Sequence, residues 1–265
     1  MAERAPPTAG RRVAAIWRRH VKVYGRSFVS NAIPAVFEPL LVLTSVGLGV
    51  GRHVGAQFNG LPYDAFMAPG ILATAALYTA SFEATYGTFI RLRFQGTYEA
   101  MLASPATVRD VVVGEILWCG SKGILYASIV GLVLWALGFV QSPAALAIPV
   151  FGFVTALAFT GLGLLVTSRM KSIDHMQVYF TVVLTPMVFF SGFMFPVAQL
   201  PGPLPVIAQV LPMYHAVETF RLLARGPDHL SASWSWCCPF VLVAWAAVLS
   251  CAGGVAMHRR ILRER

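Results

Sequence analysis

Four ionisable side chains, Glu38, Glu83, Glu115 and Lys122, stand inside long apolar stretches of the sequence. A charge is costly in hydrocarbon, so each is a candidate for function until a partner is found for it. Glu83 shares one helical face with Thr79 and Tyr86. That polar stripe suits contact with the polar part of a substrate, or an interhelical hydrogen bond from the carboxyl group. Glu115 and Lys122 lie two turns apart on one face, where Lys122 can snorkel or a neighbouring helix can bridge the pair. Glu38 precedes Pro39, at a kink that opens toward protein. Neither Glu115 nor Lys122 is read as a proton relay.

Catalytic constellations are not expected. None of His20, His53, His175, His215, His229 and His258 forms a metal-binding pair on one helix face with a second His or Cys. His215 and Glu218 are i, i+3 neighbours, which packing and a hydrogen bond explain. No Gly-x-Ser-x-Gly elbow is present, and Asp174-His175 has no matching nucleophile. A phosphate-binding loop requires Gly directly before its Lys, whereas the three lysines follow Val21, Ser121 and Met170. The expectation is a chain with no ATPase site, no metal and no bound cofactor of its own. Cys119, Cys237, Cys238 and Cys251 lack metal-ligand spacing and are read as packing residues.

The elements that position these residues follow from composition. Of 265 residues 57% are hydrophobic and only 12% charged, and the mean hydropathy of +0.69 exceeds what a soluble domain of this size carries on its surface. The formal charge of +9 is spread between apolar runs, so it signals membrane topology and lipid contact rather than nucleic acid. A bilayer core takes about 20 apolar residues per helix. Six stretches qualify, at 30–50, 66–90, 111–138, 144–167, 176–195 and 237–257. Lys and Arg alternate across the segments between them. Arg4, Arg11, Arg12, Arg18, Arg19, Lys22 and Arg26, then Arg91, Arg93 and Arg109, then Arg169 and Lys171, then Arg259, Arg260, Arg263 and Arg265 fall on one side, against Arg52, Arg221 and Arg225 on the other. This is the positive-inside pattern of an even number of spans with both termini cytoplasmic. The first thirty residues hold no signal-peptide core, so no removal is expected. The expected organisation is one transmembrane domain over 1–265, with a cytoplasmic N-terminus (1–29), a six-span bundle (30–257) and a cytoplasmic tail (258–265).

Three further segments have a pattern. Val13, Ile16, Trp17, His20, Val21 and Tyr24 recur at helical spacing with basic residues opposite. This predicts an amphipathic interfacial helix, with Trp17 and Tyr24 at headgroup depth and Arg18 and Arg19 toward anionic lipid. Between 91 and 110, Gly96 and Pro105 bracket a short cytoplasmic helix over 97–104, and Ser104-Pro105 is the expected restart of the next helix. From 196 to 236, Pro196, Pro201, Pro203, Pro205 and Pro212 interrupt a mostly apolar composition, which predicts short re-entrant helices on the outer side, the longest over 213–225. Gly161-x-Gly163 allows close helix approach.

Several stretches together resemble the ABC-2 type transporter permeases, and within them the lipo-oligosaccharide (nodulation-factor) exporter permeases. They are Tyr63-x-x-Phe66-x-x-Pro69-Gly70, Phe82-Glu83-x-x-Tyr86, the run from Gln95 to Pro105, Gly114 to Trp118, Phe190 to Pro196 and Leu211 to His215. The resemblance implies a half-transporter of an ATP-driven exporter in the bacterial inner membrane, working as a permease homodimer with two copies of a separate ABC ATPase that uses ATP and Mg. It implies a coupling helix in the second loop, making Arg91, Arg93, Thr97, Glu99 and Arg109 the candidates for ATPase docking, and an interfacial helix carrying Trp17, Arg18, Arg19 and Tyr24. Thr79, Glu83 and Tyr86 remain the pathway candidates, and the implied cargo is amphiphilic or glycan-lipid. An ion-coupled secondary transporter, expected to show paired intramembrane acids in two related halves, is one alternative; a membrane scaffold or membrane-embedded enzyme is the other.

Overall fold

The computed structural model describes residues 7–54 and 61–264. Arg4 and Arg265 lie outside the described residues, as do the side chains of Glu38 and Arg52. Among the described residues the chain is helical with no strand.

Among the described residues four helices are long and apolar enough to cross a bilayer, Tyr63–Arg93, Val108–Ala136, Pro143–Thr167 and Ser235–Arg263. Each overlaps an expected span. Tyr63–Arg93 comprises α3 (Tyr63–Phe82), a π-helical turn (Glu83–Gly87) and α4 (Thr88–Arg93). It is the central helix, buried over most of its length. Around it stand α6 (Val108–Ala136), α7 (Ile148–Thr167) and α12 (Cys238–Arg263), the last of which faces mostly outward. Before them run α1 (Ala9–Gly25) and α2 (Phe28–Val54), the latter covering the first expected span. The stretch expected as a fifth span over 176–195 holds a shorter apolar helix, His175–Phe189, built from α8 (His175–Val178), a π turn (Tyr179–Leu184) and α9 (Thr185–Phe189). Pro186 lies within it, and past its end Gly192 turns the chain at φ 80° before Pro196. After it follow α10 (Leu204–Val210) and α11 (Pro212–Arg225). The helix expected over 213–225 is therefore present, and nearly all its residues are buried.

Inside a bilayer the hydrophobic effect does not drive helices together, so close packing of small residues has to. α6 and α7 touch at Gly123 and Gly152, where a Cβ on Gly152 would fall 2.7 Å from the Gly123 carbonyl oxygen. α7 and α12 cross at Gly161 and Gly253 even more closely, a Cβ on Gly253 falling 2.2 Å from the Gly161 carbonyl oxygen. Any larger residue there would push two backbones apart.

The restart of α6 corrects the sequence reading. Its N-cap is Thr107, whose hydroxyl accepts from the Asp110 N–H while the Asp110 carboxylate accepts from the Thr107 N–H at 2.8 Å. This reciprocal cap satisfies two otherwise orphaned donors, which Ser104-Pro105 cannot do three residues earlier.

Candidate functional site

The candidate site is the junction of α1, α3–α4 and α6. The π turn at Glu83–Gly87 widens the central helix by one residue where it leaves the core, and such bulges concentrate at functional positions. Gly87 lies beneath the gap: a Cβ there would come 2.9 Å from Glu83 Oε1 and 3.2 Å from Arg91 Nη1. Its bare Cα lets Arg91 reach back along the helix to Glu83.

Arg91 donates from Nη1 to Glu83 Oε1 at 2.6 Å and from Nη2 to Glu115 Oε2 at 2.7 Å. Lys122 donates to the other Glu83 oxygen at 2.8 Å, and its ammonium lies 4.7 Å from the centre of the Tyr24 ring. His20 Nε2 stands 3.1 Å from the second Glu115 oxygen, with its ring stacked on Trp118. Two carboxylates thus face two fixed cations, all nearly buried, so the cluster carries formal charge balance into a region where an unpaired ion is prohibitive. Arg performs the bridging because its planar fork reaches both acids at once, which an ammonium does not.

The interfacial helix is part of this cluster. Its apolar face lies on α6, with Ile16 against Gly114, where a Cβ would sit 2.6 Å from Ile16 Cγ2. The Trp17 indole donates to Ser121 Oγ at 2.9 Å, Arg12 donates to Asp110 at 2.7 Å, and Tyr24 hydrogen-bonds the Tyr126 hydroxyl. Trp17 and Tyr24, expected at headgroup depth, are therefore partnered within the protein, because α6 offers them hydroxyl groups. Arg18 and Arg19 are exposed.

The short helix α5 (Thr97–Leu102) begins after Gly96 at φ 57° and hangs directly from this junction. Thr97, Tyr98 and Met101 are buried beneath it while Glu99 is exposed. Burial pushes the Tyr98 phenol well above its ordinary pKa, which keeps it neutral. Of the docking candidates, Arg93, Glu99 and Arg109 are exposed, whereas Arg91 and Thr97 point inward. Arg93 also pairs with Glu264 at 2.8 Å. Of the pathway candidates, Glu83 is held by the ion cluster. Tyr86 stacks with Phe82 and Phe180, and Thr79 is half-buried one turn above Glu83. His20 was missed as a site residue, its signal being only a polar residue on the apolar face of α1. Glu115 and Lys122 were visible as intramembrane charges, but their partners were not.

A second buried ion pair lies in α11. Arg221 and Glu218, i, i+3 on α11, pair with no solvent exposure. Ser231 donates its N–H and its hydroxyl to Glu218, Arg221 donates to the Gly192 carbonyl at 3.1 Å, and its guanidinium lies 4.5 Å from the Phe66 ring centre. Glu218 thus takes Arg221 as its partner. His215 is buried beside Tyr214 and Trp234, and burial lowers its pKa below the ordinary histidine value.

The family model described as ABC-2 type transporter matches residues 11–223, from the interfacial helix through α11. The chain belongs to the ABC-2 type transporter family. It is 36% identical over 223 residues to nodulation protein J of Rhizobium meliloti strain 1021, covering 84% of each chain, and 38% identical over 221 residues to nodulation protein J of Rhizobium leguminosarum bv. viciae, covering 83% of this chain and 85% of that one. A more distant relative is the inner membrane transport permease YadH of Escherichia coli K12, 23% identical over 210 residues, 78% of this chain and 80% of that one. As an ABC-2 type transporter the chain is the multi-pass membrane permease of an ABC exporter, and the family implies an ATPase partner. The cluster around Arg91 lies wholly inside the matched residues, next to the short helix α5.

Proposed function

We propose that this permease crosses the inner membrane six times with both termini in the cytoplasm, pairs with a second copy, and moves an amphiphilic or glycan-lipid substrate outward on energy from two ATPase subunits. The observation that carries the reading is the neutral ion cluster of Glu83, Arg91, Glu115 and Lys122, which ties the inner ends of two spans to α1 directly above α5. A helix anchored in this way moves as a rigid lever, so a displacement of α5 by a partner is passed to the bundle rather than absorbed locally. Glu99, Arg93 and Arg109 form the docking surface. ATP and Mg are used in the partner, and this chain holds no nucleotide site of its own.

Six spans are α2, the four long helices and the shorter His175–Phe189, which reaches across with local thinning of the bilayer. The loop-by-loop alternation of Lys and Arg supports the orientation. α10 and α11 re-enter the outer leaflet, α11 covered by α3 and α12 and α10 packed on α11. Six helices are few for enclosing a route for a glycolipid, which favours a passage between two copies. The nodulation protein J relatives support a lipid-linked glycan as cargo.

Co-expression of the permease with its ATPase tests this. Glu99→Arg with Arg93→Glu should abolish co-purification while leaving membrane insertion intact, and wild-type liposomes should show ATP hydrolysis stimulated by substrate. Undiminished co-purification of the double variant, or hydrolysis by the permease alone, overturns the assignment.

A further inference from the structure

A concave pocket of about 380 Å³ opens at the inner ends of α4, α7 and α12, and none of the four charged residues of the Arg91 cluster lines it. Six basic side chains line it, Arg93, Arg169, Lys171, Arg259, Arg260 and Arg263, and the lining includes one carboxylate, Glu264. Arg260 is its floor. It is buried, donates to the Thr167 and Met170 carbonyl oxygens that end α7, and pairs with Glu264, which also receives Arg93. Basic residues at helix C-termini offset the helix dipole, and Arg260 does that here. The remaining cations exceed this need. Lys171, Arg259 and Arg263 are exposed and have no carboxylate partner among the described residues. Like charges gathered in one hollow repel, and an anion from outside relieves that repulsion.

We propose that this pocket binds the phosphate of an anionic phospholipid of the inner leaflet. The apolar surface beside it selects a lipid over a soluble anion. Val248, Val255 and Leu262 are exposed, recur every seven residues on α12 and run from within the span to the pocket, beside Arg259. A phosphate seated against Arg259 and Arg263 leaves its acyl chains along that stripe. Basic pockets between spans on the cytoplasmic side hold anionic headgroups in this way. Arg93 borders both this pocket and the docking surface, whereas Arg259 and Arg263 belong to the pocket and not to that surface, so substituting them tests the lipid site apart from the proposed transport role.

Native mass spectrometry of the full-length permease in detergent, titrated with phosphatidylglycerol or phosphatidylcholine, tests the proposal. The wild type should retain phosphatidylglycerol selectively, and Arg259→Ala with Arg263→Ala should weaken that retention about thirtyfold. Arg18→Ala with Arg19→Ala, which removes two equally exposed cations from the lipid-directed face of α1 and none from the pocket, should weaken it far less. Both variants keep every buried contact, and matching unfolding temperatures verify their fold. Equal retention of the two lipids, equal loss in the α1 variant, or full displacement of the lipid by millimolar inorganic phosphate would each overturn it. So would a pocket variant that keeps its lipid and loses the ATPase, since the cations would then serve the partner.

Discussion

Arg91 and Glu83 stand eight residues apart along one helix, and their side chains meet at 2.6 Å. In a regular α-helix that separation is about 12 Å of axial rise, so both side chains have to run along the helix toward each other. They do so over Gly87, at the end of the π turn, and the same guanidinium then crosses to Glu115 on α6.

Removing Arg91 should therefore be worse than removing an ordinary polar residue. Arg91→Met leaves Glu83 with Lys122 and Glu115 with His20 as their remaining partners, and breaking a buried pair costs about 3–5 kcal/mol. Thermal unfolding of the purified permease should fall sharply, with Arg91→Lys intermediate and Arg91→Met combined with Glu115→Gln partly restored. An unchanged midpoint for Arg91→Met refutes the cluster as a structural tie.

The seat of the interfacial helix depends on Gly114. A methyl group there meets Ile16 Cγ2 at 2.6 Å, an overpacking that costs about 1–3 kcal/mol. Gly114→Ala should loosen α1 and speed trypsin cleavage at its exposed arginines, and adding Ile16→Ala should slow cleavage again. Equal cleavage rates in wild type and Gly114→Ala would show that α1 is held elsewhere.

In α11, Arg221→Leu leaves Glu218 buried with Ser231 as its remaining partner. The expected loss is again about 3–5 kcal/mol, concentrated at the segment that Glu218 anchors. Hydrogen exchange should quicken over 226–235 and in α11 while α6 and α7 stay protected. Uniform protection would sink this account.

His215 makes the outer segment sensitive to acid. Burial lowers its pKa from 6.5 despite the opposing influence of Glu218, so below about 6.5 the unfolded chain takes up a proton that the folded chain resists. Stability is then fully present above that pH and is lost as pH falls through the interval down to the folded-state value. His215→Gln should flatten the unfolding temperature measured between pH 7.5 and 5.5, and a slope equal to that of the wild type would rule His215 out as the titrating group.

The sequence by itself determined what is local. Hydropathy placed the four long helices within a few residues, the period of α1 located its apolar face, and Gly96 marked the start of α5, because composition, helical repeat and turn chemistry act over one element at a time. The first residue of α6 escaped that reading, since Thr107 becomes a cap only when Asp110 folds back onto it. The length of the helix at 175–189 escaped it too, an apolar run continuing past the turn where the helix stops.

Only the tertiary structure decided the partners. Glu83, Glu115 and Lys122 were each recognisable as charges in apolar surroundings, yet nothing along the chain joined them to Arg91, which reads as a loop residue, or to His20, which reads as part of a lipid-facing helix. Ion pairing depends on how each helix is rotated and shifted against its neighbours. That is set by close contacts such as Gly123 with Gly152, Gly161 with Gly253 and Gly114 with Ile16, between residues far apart in sequence.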